Sequence, residues 1–455
     1  MKFSNQGLKK SLAVDTLGCK VNQYDSLAIK EQFQDSDFTL VNFSEKADVY
    51  VINTCMVTKK SEKESRQIIK KVSQKNKEAK IIITGCYARY LPEEIFRKKG
   101  VLVVDNQEKD KLFNQYQQDQ NLNQELNQER KKTIFSPQYQ QDQNLNQEKE
   151  KTYQPLFIKD FQQKSRALVK VQDGCNNSCS YCLIPHLRGS SRSRLFREIE
   201  AEVKELTQKG FKEIVLTGIN LGQYGKDFFP KLSLAEMIKE LCQNSDLLRI
   251  RLSSINFPDI DEELIDLMAK NPKVCKHFHI PLQSGSGYIL KQMARHYSPQ
   301  EYEELVNYLR EKTPEIGLTT DILVGFPGEE ESHFQETYHL VKRLQFSRVH
   351  LFKYSPRPQT KAYLMPSQVE EKVKQQRSKL LHQLSQQNKQ AFLQRFKEKK
   401  VVVLIEEYQP STELYFGYSS NYFKVGVRSK KDLVGEMVEV IIKEVKEDYG
   451  VGEKA

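Results

Sequence analysis

The sequence has no run of 18 or more apolar residues, which argues against a membrane span. Its first residues, Met1-Lys2-Phe3-Ser4-Asn5-Gln6, carry no apolar core of the kind a secretory signal needs. The expected location is therefore the cytoplasm. No G-x-x-x-x-G-K-[ST] stretch occurs, and Gly222-Gln223-Tyr224-Gly225-Lys226 does not fit one, so that form of nucleotide-phosphate chemistry has no support. Cysteine is sparse, with eight in 455 residues. In a cytoplasmic chain of this length that argues against a disulfide scaffold and for metal or redox work. What is in surplus is positive charge. The net charge of +11 favours a polyanion such as nucleic acid as partner.

Three of the cysteines stand together in Gly174-Cys175-Asn176-Asn177-Ser178-Cys179-Ser180-Tyr181-Cys182, after the apolar run Ala167–Val171. The run is short and β-rich and ends at Asp173-Gly174, so the cysteines occupy a loop that leaves a strand. Thiolates are soft ligands that suit iron–sulfur clusters, zinc or copper(I). Three thiolates leave one iron of a four-iron cube open to a small molecule. Zinc normally takes four ligands in a closed site. No fourth Cys or His lies at such a spacing; His186 is near but sits among Pro185 and the loop-like Arg188-Gly189-Ser190-Ser191-Arg192.

The length suggests about two to four domains. From residue 10 to 113, candidate strands Leu12–Leu17, Ala47–Ile52 and Lys80–Thr84 alternate with helix-like segments Asp25–Phe33 and Ser61–Ser73. This pattern predicts a doubly wound parallel sheet. Each strand is followed by a cysteine: Cys19, Cys55 and Cys86. The carboxyl ends of parallel strands share one edge, where ligands bind, so these three converge on a candidate metal site. Three buried structural cysteines are the alternative. Residues 114–160 are rich in Gln and Asn, and the eleven residues QYQQDQNLNQE occur twice, at 115–125 and 138–148. Such a segment cannot bury a core and reads as a disordered or helical insertion.

From 161 to 388, six strand-like runs (Ala167–Val171, Glu213–Leu216, Leu248–Leu252, Phe278–Leu282, Leu318–Val324, Val349–Lys353) fit a partial β/α barrel. Val369 to about Lys400 reads as a basic helix whose charges face solvent. Residues 389–455 hold Val401–Ile405, Tyr422–Val427 and Gly435–Ile442, which suggest a small β-barrel whose Tyr and Phe either stack on bases or form core. Cys242 and Cys275 read as structural. The fold class is thus α/β, with a doubly wound parallel sheet, a partial β/α barrel and a small β-barrel in sequence.

The C-x3-C-x2-C run with an aromatic before its last cysteine resembles the radical S-adenosylmethionine (SAM) superfamily. Further stretches make the whole chain, outside the Gln/Asn insertion, resemble the methylthiotransferase family. They are Asn53-Thr54-Cys55, Thr84-Gly85-Cys86, Arg188-Gly189, Ser193-Arg194, Leu282–Ser286, Met293 with Arg295 and Tyr297, and Asp321 through Pro327-Gly328-Glu329. Asp105 stands where that resemblance leads one to expect a glycine before Asn106-Gln107-Glu108-Lys109. The resemblance implies two [4Fe-4S] clusters, one on Cys175, Cys179 and Cys182 and one on Cys19, Cys55 and Cys86. It implies SAM as cofactor, with Tyr181, Gly218, Ser253, Gln283, Arg295 and Asp321 as candidate pocket residues. It assigns no catalytic residue. It also implies a TRAM-like RNA-binding domain at 389–455, the tRNA anticodon stem-loop as partner, an electron donor such as flavodoxin or ferredoxin, and a sulfur donor. The stretch Thr16-Leu17-Gly18-Cys19-Lys20-Val21-Asn22-Gln23-Tyr24-Asp25-Ser26 looks like the branch that methylthiolates threonylcarbamoyladenosine in tRNA. Branches acting on isopentenyladenosine or on a ribosomal-protein aspartate are alternatives. A non-catalytic, metal-stabilised RNA-binding protein is an alternative of another class.

Overall fold

The computed structural model describes residues 9–36, 38–125, 158 and 165–455. The chain divides into two compact units, Met1–Ile158 and Lys159–Ala455. No helix of the described residues is long and apolar enough to cross a membrane.

In the first unit, strands β1 (Lys10–Thr16), β2 (Phe38–Leu40), β3 (Val49–Thr54), β4 (Lys80–Gly85) and β5 (Val101–Val103) form one sheet in the order β2-β1-β3-β4-β5. Every neighbouring pair is parallel. The strand order reverses direction between β1 and β3, where a doubly wound sheet opens a crevice. Helix α1 (Lys20–Gln34) lays Val21, Tyr24, Ala28, Ile29 and Phe33 against the sheet. Helix α2 (Lys59–Lys75) starts in a reciprocal cap between Thr58 and Ser61. Helix α3 (Leu112–Glu125) crosses the expected domain limit at residue 113, because Phe113 and Tyr116 pack edge-on against Phe33 and Phe38 and belong to the core. The second copy of the Gln/Asn repeat lies outside the described residues. Strands β2 and β5 were not expected from sequence; three residues are too few to show a period.

The second unit carries β6 (Arg166–Lys170), β7 (Glu213–Thr217), β8 (Arg249–Leu252), β9 (His277–His279), β10 (Gly317–Val324) and β11 (Arg348–Lys353). They pair in parallel as β8-β7-β6 and β9-β10-β11. Isolated parallel bridges Ile250–Val274 and Ser254–His279 join the two halves into one six-strand arc. β9 is shorter than expected, and just past its end the Ile280 carbonyl accepts from the Tyr302 and Thr320 hydroxyls (2.7 Å each). Helix α4 (Glu371–Gln394) follows. Two of its cations depart from the expected solvated face. Lys374 is buried and donates to the Tyr354 carbonyl (3.0 Å), and Arg377 is buried against Glu329 (2.7 Å).

The chain ends in a closed ring of β12 (Lys400–Gln409), β13 (Leu414–Ser419), β14 (Lys424–Val427), β15 (Met437–Val445) and β16 (Gly450–Lys454), ordered β12-β13-β14-β16-β15. Its core continues into α4 through Phe392 and Leu393. The Ser419–Tyr422 turn of this ring enters the amino-terminal end of the arc. Arg251 donates to the Ser419 carbonyl (2.9 Å) and Arg249 to the Tyr418 carbonyl (3.0 Å). The Tyr422 ring lies 4.5 Å from the Arg251 guanidinium and 4.6 Å from the His277 ring. Asn421 comes so close to Gly317 that a side chain there would start 2.0 Å from its carbonyl oxygen. Tyr418 and Tyr422 thus serve packing. Glu213, fully buried, answers the arginines, with Arg251 Nε 2.8 Å away.

Candidate functional site

Cys175, Cys179 and Cys182 occupy the loop after β6, at the carboxyl end of the arc. A short ribbon, Gln172–Asp173 against Arg192–Ser193, closes the base of the loop. Buried Arg188 pins it to Asp173 (2.8 Å). Burial opposes the Asp173 charge, but Arg188 and Lys170 hold its carboxyl well below the usual range. Each sulfur has an N–H donor aimed at it: Asn177 N–H to Cys175, Arg295 Nη1–H to Cys179 and Ile184 N–H to Cys182, each at 3.4 Å. Burial raises the Cys175 thiol and pushes Cys182 up to about 12. Burial thus favours the protonated thiol at Cys175 and Cys182 when no metal is bound. With one, the surrounding N–H groups suit thiolate ligands, so the donor set fits a cluster.

Of the six candidate pocket residues, Gly218, Ser253 and Gln283 come after strand ends, Tyr181 sits within the cysteine loop, Asp321 lies inside β10, and Arg295 follows the short helix Gly287–Gln292. Tyr181 packs edge-on against Phe326 (6.3 Å), and burial raises its hydroxyl well above the ordinary value. Arg295 stands between Cys179 and Asn256, whose Oδ1 takes its Nη2–H at 3.0 Å. Gln283 has a left-handed backbone and donates its N–H to the Asp321 carbonyl (2.7 Å). The Asp321 carboxylate lies 3.2 Å from His279 Nε2, and His279 Nδ1 lies 2.9 Å from Thr319 Oγ1. Ser253 is buried with an unpartnered hydroxyl. Gly218 backs onto Gln172, whose Oε1 accepts from the Asn220 N–H (3.0 Å). The structure therefore groups Tyr181 and Arg295 with the cysteines and Gln283 with Asp321. Sequence reasoning missed Gln172, Asn256 and His279. For His279 a signal existed, since His277 and His279 alternate onto one face of a strand.

The other triad lies at the carboxyl edge of the first sheet, on β1, β3 and β4, which are neighbours. A side chain at Gly18 would start 2.7 Å from Cys55 Sγ, and one at Gly85 2.3 Å from the Thr54 carbonyl oxygen. The Cys19 loop thus touches Cys55, and the Cys86 loop touches the residue before Cys55. Ser65 of α2 grips Cys55 from both sides, donating to its carbonyl (2.8 Å) and accepting from its N–H (3.2 Å). Cys55 and Cys86 are buried and Cys19 is exposed. Three thiols from three strand ends, one open to solvent, suit a cluster with a free iron. Among the described residues no three His, Cys, Asp or Glu side chains are placed to grip a single ion; in a cube each iron takes its own thiolate.

A three-cysteine loop at the carboxyl end of a parallel β/α arc defines a radical SAM enzyme core, and residues 169–341 match the model of the Radical SAM superfamily. That superfamily works with a [4Fe-4S] cluster and SAM. Residues 11–105 match the uncharacterized protein family UPF0004. The threonylcarbamoyladenosine tRNA methylthiotransferase MtaB of Bacillus subtilis is 37% identical over 448 residues, covering 97% of this chain and 96% of that one. Its namesake from Aquifex aeolicus is 38% identical over 433 residues, covering 95% and 100%. The tRNA-2-methylthio-N(6)-dimethylallyladenosine synthase of Clostridium tetani is 32% identical over 448 residues, covering 96% and 95%. The chain belongs to the radical SAM methylthiotransferase family. Among solved structures, the radical SAM methyltransferase TsrM of Kitasatospora setae shares the fold, with a TM-score of 0.56 at 15% identity over 78% of this chain and 75% of that one.

Proposed function

We propose that the chain methylthiolates C2 of N6-threonylcarbamoyladenosine beside the anticodon in tRNA. The observation that carries this reading is the pair of cysteine triads at strand ends, in a chain collinear with relatives that bear that activity in their names. An adenine C2–H is neither acidic nor nucleophilic, so its replacement calls for hydrogen abstraction rather than proton transfer. Cys175, Cys179 and Cys182 would hold one cluster, and Cys19, Cys55 and Cys86 a second. When bound, the clusters and SAM supply the abstracting radical and the methylthio group.

The chain's own residues set the stage for this. Arg295 places a cation on Cys179, Tyr181 and Phe326 wall the cysteine loop, Ser253 offers a free hydroxyl, and the Asp321 carboxylate lies against His279 Nε2. Helix α2 supports an RNA partner. Lys59, Lys63, Arg66 and Lys70 recur at helical spacing on an exposed face opposite buried Ser65, Ile69 and Val72. An electron donor such as flavodoxin or ferredoxin and a sulfur donor complete the reaction. We assign residues 10–113 to the second cluster, 161–388 to SAM chemistry and 389–455 to RNA contact.

Mass spectrometry of tRNA nucleosides from cells lacking the gene tests the assignment. Loss of the methylthiolated threonylcarbamoyl nucleoside supports it. Persistence of that nucleoside with loss of the isopentenyl analogue moves the chain to the dimethylallyl branch. Zinc without iron in the anaerobically reconstituted protein would leave a metal-stabilised RNA-binding protein.

A further inference from the structure

The second-cluster reading leaves open what holds three loops from separate strands at one spacing. Asn22 lies in the first turn of α1 and is 1% exposed. Its amide nitrogen donates to two carbonyls, Leu17 O at 2.8 Å and Thr54 O at 3.0 Å. Leu17 precedes Gly18-Cys19, and Thr54 precedes Cys55. One amide thus spends its two hydrogens on two cysteine loops. The Thr54 oxygen also accepts the Cys86 N–H at 3.0 Å. A single carbonyl oxygen, with its two lone pairs filled, is where all three loops meet.

The amide can do this in only one orientation. Turned over, its oxygen would face two carbonyl oxygens. The orientation is set from behind by Lys109, whose ammonium donates to Asn22 Oδ1 at 3.2 Å and to Asp25 Oδ2 at 3.0 Å. Lys109 and Asp25 are 4% and 1% exposed. Asp25 neutralises the ammonium, so Lys109 acts on the triad through orientation rather than charge. Lys109 rides on the segment Asn106–Lys111, which Asp105 caps at the Gln107 N–H (2.8 Å) while pairing with Arg89 (3.0 Å). The residue that departs from the family's glycine therefore has a local task here.

We propose that Asn22 and Lys109 form a buried clamp that positions the Cys19, Cys55 and Cys86 loops to receive an iron–sulfur cluster. Both are positioning residues. The inference rests on the reading of this triad as a cluster site.

The test uses the full chain, reconstituted anaerobically with iron and sulfide. Wild type should bind about eight irons as two Cys-held cubes. Asn22→Asp keeps size and acceptor but loses both amide hydrogens, and it sets a carboxylate against two carbonyls. It should bind about half the iron, losing the electron paramagnetic resonance signal of one cluster and keeping the other. Lys109→Met should do the same and Lys109→Arg should recover most of the iron. Circular dichroism at the reconstitution temperature separates positioning from folding. Full iron with both signals in Asn22→Asp and Lys109→Met would overturn the clamp. So would iron loss that appears only where the chain has unfolded. If wild type itself binds only about four irons, the cluster reading of the triad falls, and the clamp with it.

Discussion

At the scale of the residue, the least expected feature is the charge buried in the amino-terminal end of the arc. Glu213 opens β7 with Arg251 and Arg249 beside it on β8. Charged residues opening a strand read as surface, because nothing local announces that a remote turn will cover them. The cysteines were legible for the opposite reason: their chemistry restricts the residue type whatever surrounds it. Burial works against the Glu213 charge, yet the arginines win and bring its carboxyl down to about 2. Glu213→Gln leaves buried guanidiniums without an answering charge and should destabilise the chain by ~3–5 kcal/mol. The folded-state value lies below the ordinary 4.5, so the contribution is complete above about pH 5 and fades as pH falls toward 2. Urea unfolding from pH 7 to pH 3 should show the gap between wild type and Glu213→Gln narrowing only below about pH 4.5. A gap that stays constant across that range would place the stabilisation elsewhere.

At the scale of the element, periodicity located helices and long strands but could not say what a cation does. Both α2 and α4 are rich in lysine. On α4, Lys374 and Arg377 turn inward to the loop Gly325–Glu329 and hold it at the carboxyl end of β10. Glu329 shows the cost of that arrangement, since burial raises its carboxyl even with Arg377 alongside. On α2 the cations stay outside, and Lys59, Lys63 and Lys70 make no ion pair among the described residues. A helix face of that kind binds phosphates through counterion release. Replacing Lys59, Lys63 and Lys70 together by Gln should weaken tRNA binding several-fold at low salt. It should also flatten the slope of log affinity against log salt by about 0.7 to 0.9 for each phosphate no longer neutralised. Filter binding between about 50 and 200 mM salt measures both. Unchanged affinity and slope would make the stripe a solubility feature only.

At the scale of the whole molecule, the β-ring and the cysteine triads divide the work differently from a simple string of modules. A ring attached only to read RNA could lose Tyr422 at no cost to the fold. Here Tyr422 packs between Arg251 and His277 at the amino-terminal end of the arc. Tyr422→Ala should therefore lower the thermal midpoint of the intact chain, with a loss of ~3 kcal/mol, whether or not tRNA is present. A midpoint within error of wild type, followed by calorimetry, would return the ring to the role of an appended reader.

The triads argue in the other direction, toward separable tasks. Cys175, Cys179 and Cys182 sit with Arg295 and Tyr181 in the second unit, while Cys19, Cys55 and Cys86 belong to the first. Each triad draws its three thiols from within its own unit. Cys179→Ala should abolish formation of 5′-deoxyadenosine under reductant. Cys55→Ala should keep it and yield no methylthiolated nucleoside if, as proposed, hydrogen abstraction needs only the Cys175–Cys182 triad and sulfur insertion needs both. The two products are read from the same reaction by liquid chromatography and mass spectrometry. If Cys55→Ala lost deoxyadenosine formation while its Cys175–Cys182 cluster remained spectroscopically intact, the two units would be one catalytic device and the division of labour would fail.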